Sequence, residues 1–491
     1  MKHVLAIDQG TTGSTCLVVA DDGRVVGRGY REIPQHFPRP GWVEHDPADL
    51  LRCTVEAGRE AIAAAGVVPD AIGITNQRET AVMWERASGE PVGRAIVWQD
   101  RRTAARCAEL AAETAAIASR TGLVVDPYFT ATKLEWMLAR PGMAARAARG
   151  DLLAGTVDSW LVWKLTAGRV HATDATNASR TMLFDIREMR WSQELCRLFH
   201  VPSTLLPEVR ASSGNFGEAE REHFGAPLPI LGIAGDQQAA LFGQGCWSAG
   251  EGKNTYGTGA FLLLNTGAVL PPPGDGLLTT VACDAEGRPV YALEGAIFIA
   301  GAAVQWLRDG LGIVRNASET ESLARSVPST DGVYFVPALV GLGAPHWEPG
   351  ARGTIVGLTR GTTRAHIARA ALEAIAYSTS DVLDLMRRRS GVPFEWLRVD
   401  GGVTDNAWLM QFQADVLGVP VERPDMVETT ALGAAGLAGI VGGVWKDAPA
   451  FLATRTFERF TPGAGAEAAT AGARDWTRAV RTALFWARDA E

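Results

Sequence analysis

Cysteine is scarce and scattered: six occur in 491 residues (Cys16, Cys53, Cys107, Cys196, Cys246, Cys283), with no Cys-x-x-Cys pair. That spacing argues against a zinc site or a disulfide framework and fits reduced thiols in a cytoplasm. The eight histidines are equally dispersed. The one short spacing, His171 with Asp174, reads as a solvated strand or loop pair rather than a metal site. No run of about 18 apolar residues is present to span a bilayer. Met1-Lys2-His3 leads directly into an apolar stretch, so no secretory leader is expected. Excess positive charge is also missing. A formal net charge of −8 weighs against nucleic acid or an anionic membrane as partner. The G-x-x-x-x-G-K-[ST] phosphate loop is absent, so nucleotide chemistry here needs another device.

What is present is ordinary globular composition, 47% apolar and 21% charged. The length exceeds what one core usually supports, so two domains are expected. The 54 glycines and 25 prolines are dispersed between apolar segments and mark tight turns rather than disorder.

The most informative stretch runs from Val4 to Gly23. It reads as a hairpin with strands Val4 to Ile7 and Cys16 to Ala20 and a polar tip from Asp8 to Thr15. Two residues suffice to close a hairpin. A long tip rich in Gly and Thr suits a phosphate cradle, because Gly10 and Gly13 let backbone N–H groups approach an anion. Asp8, at a strand end, is a carboxylate that a metal ion could neutralise. A plain polar turn is the alternative at this point.

A third strand (Val25 to Ile33) follows, then a Pro-rich loop. Asp46-Pro47 then start a helix as N-cap and first helical residue. Short strands are expected at Ala71 to Asn76, Ala81 to Arg86 and Ala95 to Asp100. Helices are expected around Thr103 to Ala118, Thr130 to Ala139 and Ser159 to Leu165. Ile230 to Gly245 reads as strand, turn and helix. Asn254 to Gly267 is a second glycine-tipped hairpin, followed by strands and a helix beginning near Ala296. Strand Trp396 to Val403 precedes a helix ending at Gly418. Thr430 to Val441 is a close-packing Ala/Gly helix, Thr461 to Ala473 a loose connection, and Trp476 to Ala487 a last helix. The second half thus repeats the order of the first, which argues for two similar α/β lobes with a cleft between them. The expected division is a lobe at 1–245, a lobe at 246–445 and an extension at 446–491.

Four stretches place polar groups at strand ends. Asn76-Gln77-Arg78-Glu79 is either a surface ion pair or a polyol site, in which a guanidinium donates to hydroxyls and a carboxylate accepts from them. Asp236, in Gly235-Asp236-Gln237-Gln238, is either a helix cap or a general base. Gly257-Thr258-Gly259 is a tight turn or a second phosphate cradle. Gly401-Gly402 with Asn406 marks a turn where backbone can approach a flat ligand such as adenine.

Together AIDQGTTGS, RPGWVEHDP, IGITNQRET, IVWQDRRTA, TGLVVDPYFTATK, GTVDSWLVWK, DATNASRTMLF, GIAGDQQAALFGQ, KNTYGTGAF, YALEGAIF, GLGAPHWEP, GLTRG and RVDGGVTDN resemble the FGGY carbohydrate kinases over nearly the whole chain. GITNQRE with DPYF resembles the branch acting on glycerol. The resemblance implies an actin/hexokinase-like ATPase fold of two ribonuclease-H-like lobes with an interlobe cleft. It further implies transfer of the γ-phosphoryl of ATP to glycerol, giving sn-glycerol 3-phosphate and ADP. Carried over by motif, Arg78, Glu79, Tyr128, Asp236 and Gln237 would hold glycerol, with Trp98 and Phe261 over its carbons. Asp236 would be the base, and Asp8 with Asp236 would hold Mg²⁺. Thr11 would also meet the phosphate of glycerol 3-phosphate. Thr11, Thr12, Gly13, Thr258, Gly301, Gln305, Gly402 and Asn406 would line the nucleotide. The resemblance also implies a homodimer or homotetramer, and a phosphocarrier protein as the partner that would act on His223.

Two departures stand out. Thr15 occupies the position where the family pattern has an arginine near nucleotide phosphate, which implies weaker ATP binding. Glu220 to Gly225 replaces the Gly-Gly-Thr-Arg loop that binds fructose 1,6-bisphosphate in some relatives, so that inhibition is not carried over. His223-Phe224-Gly225 looks like a shortened phosphorylatable loop or a plain exposed histidine loop. The competing functions are a family kinase for a pentulose or erythritol, and a non-catalytic sensor or filament protein on the same fold.

Overall fold

A computed structural model describes residues 1–426 and 428–488. Val427, inside the expected lobe 246–445, and the last three residues of the expected extension 446–491 lie outside the described residues. The chain gathers into two compact units. The first holds Met1–Ser248, Thr279–Ala292 and Glu428–Arg455; the second holds, among the described residues, 249–278, 293–426 and 456–488. The chain first crosses close to the expected position 245 and then crosses again four times, so the stretch after 446 is shared between the units.

In the first unit, strand His3–Gln9 pairs antiparallel with Gly13–Ala20 and parallel with Ala71–Asn76. Ala71–Asn76 pairs in turn with Leu228–Gly235, in parallel. The apolar faces of these strands, with Leu5, Ile7, Ile72, Ile74, Ile230 and Ile233, form the core. The ladder runs further than the apolar pattern indicated, since Asp8 faces Thr15 and Gln9 faces Ser14. Only Gly10 to Thr12 remain outside it, closed by the Gly10 amide donating to Gly13 O at 2.9 Å. Polar residues continue the strands because their side chains find partners inside: Ser14 Oγ meets Thr54 Oγ1 at 3.1 Å, and Gln77 Nε2 donates to Gln9 Oε1 at 3.2 Å.

Helix Pro47–Ala65 starts as its signals require, Asp46 accepting from the Ala48 amide and Gly66 closing the end in the left-handed region. Helix Thr429–Val441 lies on strands His3–Gln9, Ala71–Asn76 and Leu228–Gly235 and on helix Asp236–Gly243. Its small residues permit the contact: a Cβ at Gly433 would stand 1.8 Å from Ala239 O.

The second unit repeats this arrangement. Glu251–Tyr256 pairs antiparallel with Ala260–Gly267 and parallel with Trp396–Asp400, which pairs parallel with Val421–Pro424. Phe457–Phe460 closes that edge antiparallel. The longest helix, Arg364–Ser390, buries Ala368, Ala371, Leu372, Ile375, Val382 and Met386 at helical spacing. Its alanine- and arginine-rich sequence gave no strong apolar run to read.

Several expected boundaries move. The helix expected from Ala296 is preceded by strand Pro289–Ile297 and begins at Gly301. The helix expected at Thr103 to Ala118 breaks into Ala104–Glu109, Ala111–Glu113 and Thr114–Thr121. The connection expected at Thr461 to Ala473 is largely helical, because the last helix starts at Ala466 and buries Ala469, Trp476, Ala479, Val480 and Ala483 along one side. Composition there suggested looseness, whereas burial of that stripe decides the conformation. His171 and Asp174 are not a solvated pair. Asp174 is fully buried and caps helix Ala175–Ala178, and His171 packs edge-on against Trp84 and Trp163 at ring distances of 5.3 and 6.1 Å.

Candidate active site

The first unit holds the candidate residues of six separate segments: the first hairpin, Arg78–Glu79, Trp98, Tyr128, Arg180 and Asp236–Gln238. Arg78 and Glu79 follow strand Ala71–Asn76 and are 3% and 1% exposed, which rules out a surface ion pair. The Arg78 Nε stands 3.1 Å from Asp236 Oδ1 and 3.8 Å from Glu79 Oε1, so one guanidinium lies between two carboxylates. Gln238 Oε1 accepts from Arg78 Nη1 at 3.2 Å and helps fix its plane. Arg180, fully buried, donates from Nε to Glu79 Oε1 at 2.7 Å. Glu79 itself sits at φ 62°, a left-handed conformation that a residue with a Cβ adopts only when its surroundings enforce it.

Asp236 is the first residue of helix Asp236–Gly243, with Gly235 as the cap, so it is not the N-cap. Its Oδ1 accepts from the Gln237 amide at 2.7 Å, and its side chain keeps 34% exposure. Asp8 projects from the end of strand His3–Gln9. Burial, and then the charge of Asp236, push its carboxyl up to about 7. Tyr128 and Trp98 meet edge to face with ring centroids 5.7 Å apart, and Trp98 Nε1 donates to Thr11 Oγ1 at 2.8 Å. Thr11 is half-buried, Thr12 exposed and Gly13 buried. Thr15, opposite Asp8 in the ladder, shares its face of the sheet.

This cluster alternates acceptor, donor and acceptor over a few ångströms. Vicinal hydroxyls can each donate to a carboxylate while accepting from the guanidinium between them.

The second unit holds a cavity of about 530 Å³ lined by Thr258, Gly301, Gln305, Gly402 and Asn406, together with Tyr256, Gly257, Arg308, Ser318 and Glu321. Its size suits a nucleotide. The Gly257–Gly259 turn is tied to the following helix by the Gly301 amide donating to Gly257 O at 3.0 Å and the Ala300 amide donating to Thr258 O at 2.8 Å. A Cβ at Gly301 would stand 2.6 Å from Gly257 O, whereas one at Gly402 would meet nothing within 4 Å. Asn406 caps helix Ala407–Leu417 by accepting from the Leu409 amide at 2.9 Å. Phe261 lies in this unit, half-buried on strand Ala260–Gly267.

Two domain types of one kinase family match most of the chain: its N-terminal domain matches residues 3–243 and its C-terminal domain residues 252–441. The chain belongs to the FGGY family of carbohydrate kinases. Among FGGY kinases it is 53% identical over 493 residues to glycerol kinase 2 of Thermotoga maritima, covering 99% of each chain. It is 54% identical over 493 residues to the glycerol kinase of Rhodospirillum centenum, again over 99% of each. The crystal structure of Plasmodium falciparum glycerol kinase with ADP matches with a TM-score of 0.94 at 35% identity, covering 99% of this chain and 98% of that one. The fold is the two-domain actin/hexokinase-like ATPase fold of these FGGY kinases.

Sequence reasoning missed Arg180, Lys133 and Gln238, although all three lie in stretches quoted for the resemblance. The available signal was a lysine inside the apolar run of helix Thr130–Leu138. His223 is not on an exposed loop. It sits on the turn Arg221–Phe224 with its side chain 13% exposed, and burial lowers its pKa.

Proposed function

We infer that this kinase phosphorylates glycerol at the expense of ATP, yielding sn-glycerol 3-phosphate and ADP as a step of glycerol uptake and catabolism. The observation that carries the reading is the Glu79–Arg78–Asp236 row, with Arg78 and Glu79 buried and Asp236 partly exposed, which suits a small polyol with adjacent hydroxyls. Glycerol offers little apolar surface, so its recognition rests on paired hydrogen bonds. Sites of that kind reject analogues lacking a hydroxyl by about four to five orders of magnitude.

Arg78, Glu79, Tyr128, Asp236 and Gln237 bind glycerol in this reading, with Trp98 and Phe261 against its carbons. Asp236 takes the proton of the terminal hydroxyl while that oxygen bonds to the γ-phosphorus and the bond to ADP breaks. Thr11 donates to the transferred phosphate. Thr11, Thr12, Gly13, Thr258, Gly301, Gln305, Gly402 and Asn406 bind the nucleotide. Along the sequence this reading divides the chain into a catalytic lobe at 1–245, a nucleotide lobe at 246–445 and an extension at 446–491, with 279–292 and 428–455 folding into the first unit. Positioning and charge neutralisation carry most of such a transfer, because the transition state is loose.

Asp8 and Asp236 are the residues for Mg²⁺. Among the described residues no group of three or more acidic, His or Cys side chains could hold a metal. Mg²⁺ needs only one or two carboxylates, with phosphates and water completing its shell. The Asp8 carboxyl, pushed up to about 7 by burial and then by the charge of Asp236, supports the fit, since a divalent cation would favour its charged form. When bound, the ion neutralises phosphate charge.

Six buried, unbridged cysteines support placement in the cytoplasm, and among the described residues no helix is long and apolar enough to cross a membrane. A homodimer or homotetramer is the assembly this reading expects. A phosphocarrier protein acting on His223 would need the turn Arg221–Phe224 to open first.

The test is ADP release from ATP with a panel of glycerol, erythritol and a pentulose. Glycerol-dependent release at the highest kcat/KM supports the reading. Preference for a pentulose, or no release with any polyol, overturns it.

A further inference from the structure

Lys133 is a fully buried lysine to which the phosphoryl chemistry gives no role. It lies on helix Thr130–Leu138, among Thr130, Ala131, Thr132 and Leu134, all buried. Lysine has three donors and no acceptor, so burying it costs free energy unless oxygen atoms surround the amino group. Two do: Nζ donates to Glu79 O at 3.1 Å and to Tyr128 O at 2.6 Å. Both are backbone carbonyls, and both belong to residues proposed to bind the polyol. The Glu79 carboxylate itself is held by Arg180, so Lys133 acts on the path of the chain. Glu79 needs such help, because its φ of 62° is unfavourable for any residue with a Cβ. The Thr130 hydroxyl adds a second donor to Glu79 O at 3.1 Å.

We propose that Lys133 is a positioning residue that ties the Glu79 backbone to that of Tyr128 and so fixes the spacing of the groups that recognise the polyol. The inference rests on Glu79 and Tyr128 being polyol ligands. It assigns Lys133 no contact with either substrate and no part in the proton transfer. Its effect falls chiefly on the polyol, since both carbonyls it holds belong to Glu79 and Tyr128, while the cavity proposed for the nucleotide is lined from the other unit.

Replacing Lys133 by Met keeps the volume and removes every donor. Steady-state kinetics of Lys133→Met should show the KM for glycerol rising roughly 10- to 100-fold, as expected when a buried hydrogen-bond partner is lost, with the KM for ATP within about twofold of the parent. Glu79→Gln and Tyr128→Phe are measured alongside. If neither raises the KM for glycerol, the site assignment fails and takes this inference with it. If they do, the positioning role alone is overturned by a folded Lys133→Met enzyme whose KM for glycerol stays within twofold, or whose two KM values rise together. Should the Met variant not fold, Lys133→Gln, with an amide donor on a shorter stem, is judged by the same criterion.

Discussion

The two candidate binding regions are built from opposite materials. The polyol cluster of the first unit consists of charged side chains taken out of water, Arg78, Glu79 and Arg180, around one residue in a strained backbone conformation. The cavity of the second unit proposed for the nucleotide is lined largely by small or uncharged residues, among them Gly257, Thr258, Gly301, Ser318 and Gly402, and a Cβ at Gly402 would meet nothing within 4 Å. The difference follows from ligand size. A three-carbon polyol has few atoms, so each hydrogen bond must be strong and fixed in place, and burial strengthens it. A nucleotide has enough surface to be held by shape.

The comparison breaks most visibly at Asp236, the one polyol-cluster residue given a proton to move. Asp236→Asn should lower kcat by roughly 10²- to 10⁴-fold while the melting temperature stays within a few degrees. Near-normal turnover removes it as the base. A smaller effect sharpens the contrast at the first hairpin. An arginine at Thr15 would lie opposite Asp8, able to meet both phosphate and that carboxylate. Thr15→Arg should reduce the KM for ATP roughly two- to fivefold, the scale of a partly exposed ion pair, and leave the KM for glycerol unchanged. An unchanged or higher KM for ATP contradicts it.

The smallest effect on turnover concerns a buried group outside both regions. Burial lowers the pKa of His171 to about 4, below its ordinary value near 6.5. The folded state therefore prefers the neutral ring. The stability this represents is present above pH 6.5 and is lost as pH falls from 6.5 toward 4. His171→Gln should flatten the dependence of unfolding free energy on pH in that window by up to about 1.4 kcal/mol per pH unit, with kcat at pH 7.5 unchanged. Parallel slopes for the two proteins would contradict this.

The repeated lobe order and most strand positions were legible because the apolar runs from Val4, Ala71, Ile230 and Trp396 are short and end in polar residues or glycine. Strand ends were not legible where Asp8, Gln9 and Ser14 continue the ladder, since their partners come from distant segments. Arg78, Glu79 and Asp236 were found from charge at strand ends. Arg180 and Lys133 were not, because only the folded backbone shows that they face Glu79. The helix from Ala466 hid behind an Ala/Gly composition that has no cap signal.

The central claim is the division of labour between the two regions, and one paired kinetic measurement addresses it. KM values for both substrates are determined in Glu79→Gln and in Gly402→Val, whose side chain enters open space in the cavity. The account predicts a crossed pattern: Glu79→Gln raises the KM for glycerol more than about tenfold and spares ATP, while Gly402→Val raises the KM for ATP and spares glycerol. If each variant changes both KM values together, or the pattern is reversed, the account is wrong.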